Sequence, residues 1–547
     1  MIDDDLRRRA EAWLAQDPDP DTRGELRALL EAGDWAELAE RFDGRLEFGT
    51  AGLRGPLGAG PTRMNRVVVR RTAAGLAAYL RAAGATGPVL VGYDARHRSA
   101  DFAADSAAVL AGAGFDVRVL PRPLPTPVLA FAVRRLRGCA GVMVTASHNP
   151  PRDNGYKVYL GASAAPDGAA GDGAQIVPPA DLAIEAAIEA VGPLAGVPLS
   201  DRWTTLGGDL VESYVDSVAG VPRTRHRELT VASTALHGVG GALLAAALLR
   251  AGFAEPAVVA EQAAPDPDFP TVSFPNPEEP GATDLLLELA DRVGADIAIA
   301  NDPDADRCAV AVGGRLLRGD EVGVLLADHL MRSGVRGSYV TTVVSSSMLG
   351  VMCRARGMGY GQTLTGFKWI VRGAPDLVFG YEEALGYAVA PDLVRDKDGI
   401  SAALLVADLA ASLRASGRTL LDRLDELARD FGLYATDQLS VRVTDLAEIA
   451  AAMAQLRAAT PATLLGTPVS TVDDLLPESD VLILRAEGCR VVVRPSGTEP
   501  KLKAYLEVVV PVAPSAGAST VDDARKVAAD RLAALRTETA AALGLTG

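Results

Sequence analysis

The apolar positions of this chain fall into short runs separated by polar loops, and three stretches repeat one pattern. The first reads PVLVGYD (88–94), then an alanine-rich segment, then AGAGFDVRVL. The second reads LTVASTALHG (229–238), GGALLAAALLRAGF and AVVAEQ; the third reads SYVTTVVSSS (338–347), MLGVMCRARGMGY and GQTL. β-branched apolar runs predict buried strands, and the Ala- and Leu-rich segments between them predict helices. The glycine after each helix suits a left-handed C-cap. Strand, helix, strand in this order makes a parallel βαβ unit.

Each unit is followed by another apolar run that empties into a polar loop: GVMVTASHNP (141–150), ADIAIANDPDADR (295–307) and PDLVFGYEEALGY (375–387). Chemistry in open α/β sheets gathers at the carboxyl ends of strands, so each of three similar domains should deliver one such loop. From about 434 the pattern changes to QLSVRV, a helical AEIAAAMAQLRAAT, the run ILRAEGCRVVVRPSGTEPKLKAYLEVVV and a last helix, which predicts antiparallel strands. The expected fold class is α/β: three similar mixed-sheet α/β domains plus a C-terminal α+β domain. Expected boundaries are a helical extension over 1–40 and domains over 41–205, 206–315, 316–432 and 433–547. The Gly/Ala/Pro-rich 161–179 reads as a surface loop.

At 547 residues the chain exceeds what one core supports. Its net charge of −16 argues against nucleic-acid or anionic-membrane partners and requires any anionic substrate to be held by local cations. The four cysteines lack zinc or disulfide spacing, which fits a reducing cytoplasm. MIDDDLRRRAEAWL is too charged for a signal peptide, and no apolar run is long enough to span a membrane. The sequence therefore reads as cytoplasmic, without a legible oligomeric state.

The polar loops carry the candidate chemistry. Asp302, Asp304 and Asp306 in NDPDADR would repel one another unless a hard divalent cation lay among them, and Mg²⁺ suits a few carboxylates plus a phosphate oxygen. An EF-hand is ruled out, since its sixth position would be Arg307 and its twelfth Gly313. RPSGTE combines the Arg494 guanidinium, the Ser496 and Thr498 hydroxyls and the flexible Gly497 in an oxyanion cradle, with Lys501 and Lys503 nearby. Isolated cations stand in GTAGLRG (Arg54), GFKWI (Lys368) and RDKDG (Arg395, Lys397), and Glu382 and Glu383 could accept hydrogen bonds from sugar hydroxyls. Asp94 and Arg96 are expected to form a structural ion pair. Ser147 and His148 adjoin in TASHNP, but neighbours in an extended segment point apart, making them a poor nucleophile–base pair.

Taken together, TASHNP with NGYK (154–157), NDPDADR, GYEEALG and RPSGTEPK resemble the α-D-phosphohexomutase family in order and separation, over nearly the whole chain. FGTAGLRG, GFKWI and RDKDG are most similar to the branch holding bacterial phosphoglucomutases and phosphopentomutase-like enzymes. The resemblance implies four domains around a central cleft and casts Ser147 as a phosphoserine. Asp302, Asp304 and Asp306 would hold one Mg²⁺ per chain, together with a phosphate oxygen on Ser147. Arg307, Arg54, His148, Lys157 and Lys397 match catalytic positions. Lys368, Glu382, Glu383, Arg395, Arg494, Ser496, Gly497 and Thr498 match substrate-binding ones.

The activity so implied moves a phosphoryl group between C1 and the terminal hydroxyl of a sugar through a bisphosphate, with a sugar bisphosphate as activator. Glucose 1-phosphate to glucose 6-phosphate is favoured, ahead of mannose and ribose phosphates. Ala384 stands where hexose-specific relatives commonly carry serine, which weakens the case for a hexose. Sugar bisphosphate synthesis, a metal-dependent phosphatase and a non-catalytic sugar-phosphate sensor are the rival readings.

Overall fold

The computed structural model describes residues 2–443, 446–496 and 501–544. Its first three helices, Ile2–Gln16, Pro20–Ala32 and Trp35–Phe42, pack Leu6, Trp13, Leu26, Leu38 and Phe42 into a small core shared with Val67 of the next domain. Asp19 and Asp34 cap the second and third helices by accepting from the backbone N–H of Asp21 and Glu37.

Three sheets then repeat one topology. In the first, Val89–Tyr93 lies parallel to Val117–Val119 on one side and to Ala140–Val144 on the other, and Asp153–Leu160 returns antiparallel to the latter. The second sheet does the same with Val231–Thr234, Ala257–Val258, Ile297–Ala300 and the returning Ala309–Val312. The third uses Ser338–Thr342, Gly359–Thr363, Leu377–Glu382 and the returning Gly386–Ala388. The expected parallel units are present, and Gly114, Gly252 and Gly357 after the helices adopt φ of 92°, 91° and 65°. In every sheet the loop between the parallel strand and its antiparallel return is the polar one. This shared topology delivers all three loops to the same kind of place.

The fourth sheet is antiparallel in the order Leu433–Arg442, Lys501–Val510, Cys489–Pro495, Leu482–Ala486, Thr467–Asp474, Thr463–Leu464, and the helices Leu446–Ala458 and Ala518–Ala542 contribute to its core. One apolar cluster runs through the first three domains, from Met143 and Tyr159 through Ile299 to Leu404 and Leu405. Helix Gly399–Arg414 is buried on all sides there, as an all-round apolar helix must be. Its one buried carboxylate, Asp408, is met by the N–H groups of Arg223 and Thr224 and by His329 Nε2 at 2.8 Å. The fourth domain keeps a separate core and joins the third through a small cluster that includes Val343, Val344, Ile483, Val492 and Tyr505.

The segment 161–179 is not simply a surface loop. Ala174–Gln175 adds a strand to Tyr159–Leu160, and Ala174, Ile176 and Val177 are buried. Arg372 of the third domain bonds Asp167 Oδ2 at 2.6 Å and the carbonyl of Gln175 at 3.1 Å. Its small residues allow close docking, a use that composition alone does not distinguish from a loop. No described helix is long and apolar enough to cross a membrane, and all four cysteines are buried and free.

Candidate active site

Ser147 follows strand Ala140–Val144 in a turn where its φ is 51°, a left-handed conformation that costs a non-glycine residue about 1–2 kcal/mol. The turn is over-determined by a buried pair. Asp94 accepts from Thr145 Oγ1 and Ser99 Oγ, both at 2.6 Å. The Arg96 guanidinium donates to the carbonyls of Ser147 at 2.6 Å, Asn149 at 2.5 Å and Pro150 at 2.8 Å. Arg96 Nε lies 3.5 Å from Asp94 Oδ2, so the expected ion pair exists and also grips the serine loop.

The expectation that Ser147 and His148 point apart is overturned: Ser147 Oγ lies 3.2 Å from His148 Nδ1. The left-handed φ at Ser147 breaks the alternation on which that expectation rested. Burial, and then the Arg307 and Arg54 charges, hold the His148 imidazolium well below its usual range, which leaves the ring neutral.

On its other side, Ser147 Oγ donates to Asp302 Oδ2 at 2.8 Å. Asp302, Asp304 and Asp306 are fully buried, and a carboxylate oxygen from each falls within 4.8 Å of the other two. Thr126 donates to Asp304 Oδ2 at 2.6 Å, and Lys157 Nζ bridges Asp304 at 2.7 Å and Asp306 at 2.8 Å. Lys397 Nζ lies 3.0 Å from Asp306. Burial raises all three carboxyls, but the ammonium groups reverse its effect at Asp304 and Asp306, which end below the usual range. Asp302, with burial and two acidic neighbours acting together, is pushed well above it. Asp304 Oδ1 and Asp306 Oδ1 are buried and accept no hydrogen bond. Convergent buried oxygens without donors fit a hard cation, so the triplet can bind a metal.

Arg307 closes the Asp302–Asp306 loop onto the third domain. Its backbone bridges Gly386, and its N–H donates to Asp302 Oδ1 at 3.0 Å. Gly386 keeps this crossing open, since a Cβ would lie 2.8 Å from Glu382 Oε1 and from Phe367, and 2.9 Å from Lys397 Cδ, and would push those side chains aside. Glu382 ends strand Leu377–Glu382, where burial pushes its carboxyl up to about 7 despite Lys397 and Arg307. Glu383 turns inward and accepts from Ser345 Oγ at 3.1 Å, so of the two glutamates Glu382 is the better placed to meet a ligand.

Arg54 donates to Asn149 Oδ1 at 3.0 Å. Lys368 Nζ bonds Thr50 Oγ1, tying the third domain to the glycine-rich loop of the first. Arg395 falls outside the cluster: its guanidinium donates to the carbonyl of Val371 at 2.7 Å and that of Ala169 at 3.4 Å, a joint between domains. Arg494 and Ser496 lie at the end of strand Cys489–Pro495, with the Ser496 N–H donating to the Lys501 carbonyl at 2.8 Å. Gly497 and Thr498 lie outside the described residues.

Three contributors escaped the sequence reading. Thr126 positions Asp304. Asp396 accepts from Tyr159 and Gln175, both at 2.7 Å, and fixes the backbone N–H of Lys397. Glu278 lies 3.6 Å from the Arg307 guanidinium. The PNPEEP run around Glu278 and the prolines flanking Thr126 were the available signals.

The sequence matches phosphoglucomutase/phosphomannomutase α/β/α domain I over residues 45–192, domain II over 212–315, domain III over 318–431 and the C-terminal domain over 439–513. The chain belongs to the phosphoglucomutase/phosphomannomutase family. Members similar to it include a Haemophilus influenzae protein named "probable phosphomannomutase", 46% identical over 81% of this chain and 93% of its own. A Schizosaccharomyces pombe protein named "probable phosphoribomutase" is 36% identical over 92% and 94%. A Staphylococcus aureus phosphoglucomutase is 32% identical over 87% and 92%. The crystal structure of a Thermus thermophilus protein provisionally assigned as a phosphomannomutase superposes with a TM-score of 0.68 at 27% identity, covering 88% of this chain and 99% of the other. Like those relatives, this family member is a mutase of the phosphoglucomutase/phosphomannomutase type, built from the four-domain α/β architecture.

Proposed function

We propose that this mutase shuttles a phosphoryl group between C1 and the terminal hydroxyl of a sugar phosphate through phosphorylated Ser147. The contact from Ser147 Oγ to Asp302 carries the reading, because it places a buried hydroxyl against the only three-carboxylate cluster among the described residues that suits a metal. Asp302, Asp304 and Asp306 would hold one Mg²⁺, which supplies Lewis-acid neutralisation of the phosphoryl oxygens. The protein's own groups do the rest.

In the first transfer the bond from phosphorus to Ser147 Oγ breaks as a bond to the sugar hydroxyl forms. The hydroxyl proton passes to neutral His148, whose ring stands 3.2 Å from Ser147 Oγ and can return it there. Lys157 and Lys397 are held charged: burial opposes this, and the aspartates outweigh it. They serve as fixed positive charge, with Arg307, around the transferring group. The resulting bisphosphate turns over and returns its other phosphate to Ser147. Either end must rest on Arg494, Ser496, Gly497 and Thr498 in turn, while Glu382 accepts from sugar hydroxyls. A sugar bisphosphate that leaves early would re-prime the serine and act as activator.

The favoured pair is glucose 1-phosphate and glucose 6-phosphate. The name of the Staphylococcus phosphoglucomutase supports it, while that of the Haemophilus phosphomannomutase favours mannose phosphates as the hexose alternative. A pentose phosphate is the second reading, favoured by Ala384, which offers no hydroxyl beside Glu382, and by the name of the Schizosaccharomyces relative. A coupled assay over glucose, mannose and ribose 1-phosphates decides. The largest kcat/KM on glucose 1-phosphate supports the first reading, and on ribose 1-phosphate the second. Turnover of none, with release of inorganic phosphate instead, would replace the mutase by a phosphatase.

A further inference from the structure

The face of the fourth sheet that meets the third domain carries three successive rungs of paired side chains. Alternation along Cys489–Pro495 sends Cys489, Val491 and Val493 into the domain's own core and leaves Arg490, Val492 and Arg494 on the opposite face. Across the ladder, Arg490 pairs with Arg485 and Glu507, Val492 with Ile483 and Tyr505, and Arg494 with Lys503. The face is therefore basic, apolar, basic. Its apolar rung rests on Val343 and Val344, the joint between the domains. The Arg494–Lys503 rung leads to the substrate cradle. The Arg485–Arg490 rung lies roughly 13 Å away along the strand, where it opens into a separate cavity of about 890 Å³ also lined by Arg354, Tyr360 and Arg531.

This cavity has too much positive charge for its own partners. Arg485 and Arg490 stand directly opposite on neighbouring strands, a placement that like charges disfavour. Arg485 Nη1 and Arg490 Nε are buried and make no hydrogen bond, although Asp473 and Glu507 lie 3.4 and 3.6 Å from them. The remaining Arg490 nitrogens reach the carbonyls of Val343 at 3.3 Å and Ser345 at 2.5 Å. Glu507 is committed to the N–H of Ser347 at 2.8 Å and to its hydroxyl at 2.6 Å. Four guanidinium groups, of which Arg531 also donates to the carbonyls of Gly488 and Val509, face three carboxylates, Asp473, Glu487 and Glu507, around a metabolite-sized groove in a protein of net charge −16.

We propose that this groove is a second anion site, for an organic phosphate of metabolite size, and that its occupancy is felt at the cradle across the apolar rung. An anion drawing the third and fourth domains together at one end of the face changes how far they approach at the other. The binding claim is independent of which sugar the enzyme uses; the coupling claim rests on the mutase reading.

Calorimetric titration of the metal-free full chain with pyrophosphate tests the site. Two equivalents are expected, one weakened about tenfold or more by Arg494→Ala and the other by Arg354→Ala with Arg485→Ala. The double variant should melt like the parent and, without pyrophosphate, turn over within about twofold of it. A single equivalent in the parent that Arg494→Ala weakens and the double variant keeps, or an unchanged isotherm in the double variant, overturns the site. At fixed free Mg²⁺, pyrophosphate should inhibit parent and double variant along different curves; superimposable curves overturn the coupling.

Discussion

Ser147 Oγ donates to Asp302 Oδ2 at 2.8 Å, joining two loops 155 residues apart in sequence. The first and second domains contribute one partner each, so the contact exists only when both are docked. Thr126 and Lys157 of the first domain make the same crossing to Asp304. The Asp302–Asp306 loop is thus held in place by the domain that carries Ser147.

The first prediction concerns that loop. Asp304→Asn should lower kcat by about 10²-fold or more, since it removes a charge that positions the transferring group. Mg²⁺ at about ten times its dissociation constant should stabilise the parent by about 1.4 kcal/mol in thermal unfolding and leave Asp304→Asn unmoved. Equal stabilisation of both proteins would remove the triplet as the metal site.

A second prediction follows from Lys368. Burial first, and the Arg494 charge among the smaller causes, lowers its ammonium from 10.5 to about 8. The charged form is present below that pH and lost above it, so kcat/KM should fall about tenfold per pH unit on the alkaline side. Because the unfolded chain holds this proton up to 10.5, the cost of burying the Lys368 ammonium is relieved as pH rises from about 8 to 10.5, so folding gains stability over that window. The activity loss should therefore appear without a matching fall in melting temperature attributable to this group. Lys368→Arg should shift the decline to higher pH.

Arg96 tests the support of the serine turn. Arg96→Met strands Asp94 as a buried carboxylate and should cost about 3 kcal/mol in urea unfolding. It also frees the carbonyls of Ser147 and Asn149, so turnover should fall even where the protein stays folded. A variant as stable and active as the parent would contradict the clamp.

On the proposed reading Arg494 holds the non-reacting phosphate equally before and during transfer, so Arg494→Ala should raise the KM for sugar phosphate about tenfold and change kcat little. An unchanged KM would take Arg494 out of the phosphate site.

Much of this was legible in the chain because the repeat is local. Alternating apolar runs and a glycine after each helix specify βαβ units, and Asp302, Asp304 and Asp306 are informative by spacing alone. What was not legible depends on distant parts meeting. The neighbour relation of Ser147 and His148 is decided by one left-handed φ that Arg96 and Asp94 enforce from another loop. The contacts of Arg395 to Val371 and Ala169, between domains, have no signature in the local sequence. Thr126 and Asp396 act across domain boundaries, and Glu278 meets Arg307 from a distant loop of the same domain, where periodicity carries no information.

Phosphopeptide mapping of the full-length enzyme before and after mixing with sugar phosphate tests the account most directly. One phosphoryl group should be found on Ser147, should transfer to the sugar within a single turnover, and should be absent from an inactive Ser147→Ala variant. A phosphoryl group on an aspartate instead, or undiminished turnover by Ser147→Ala, would contradict it.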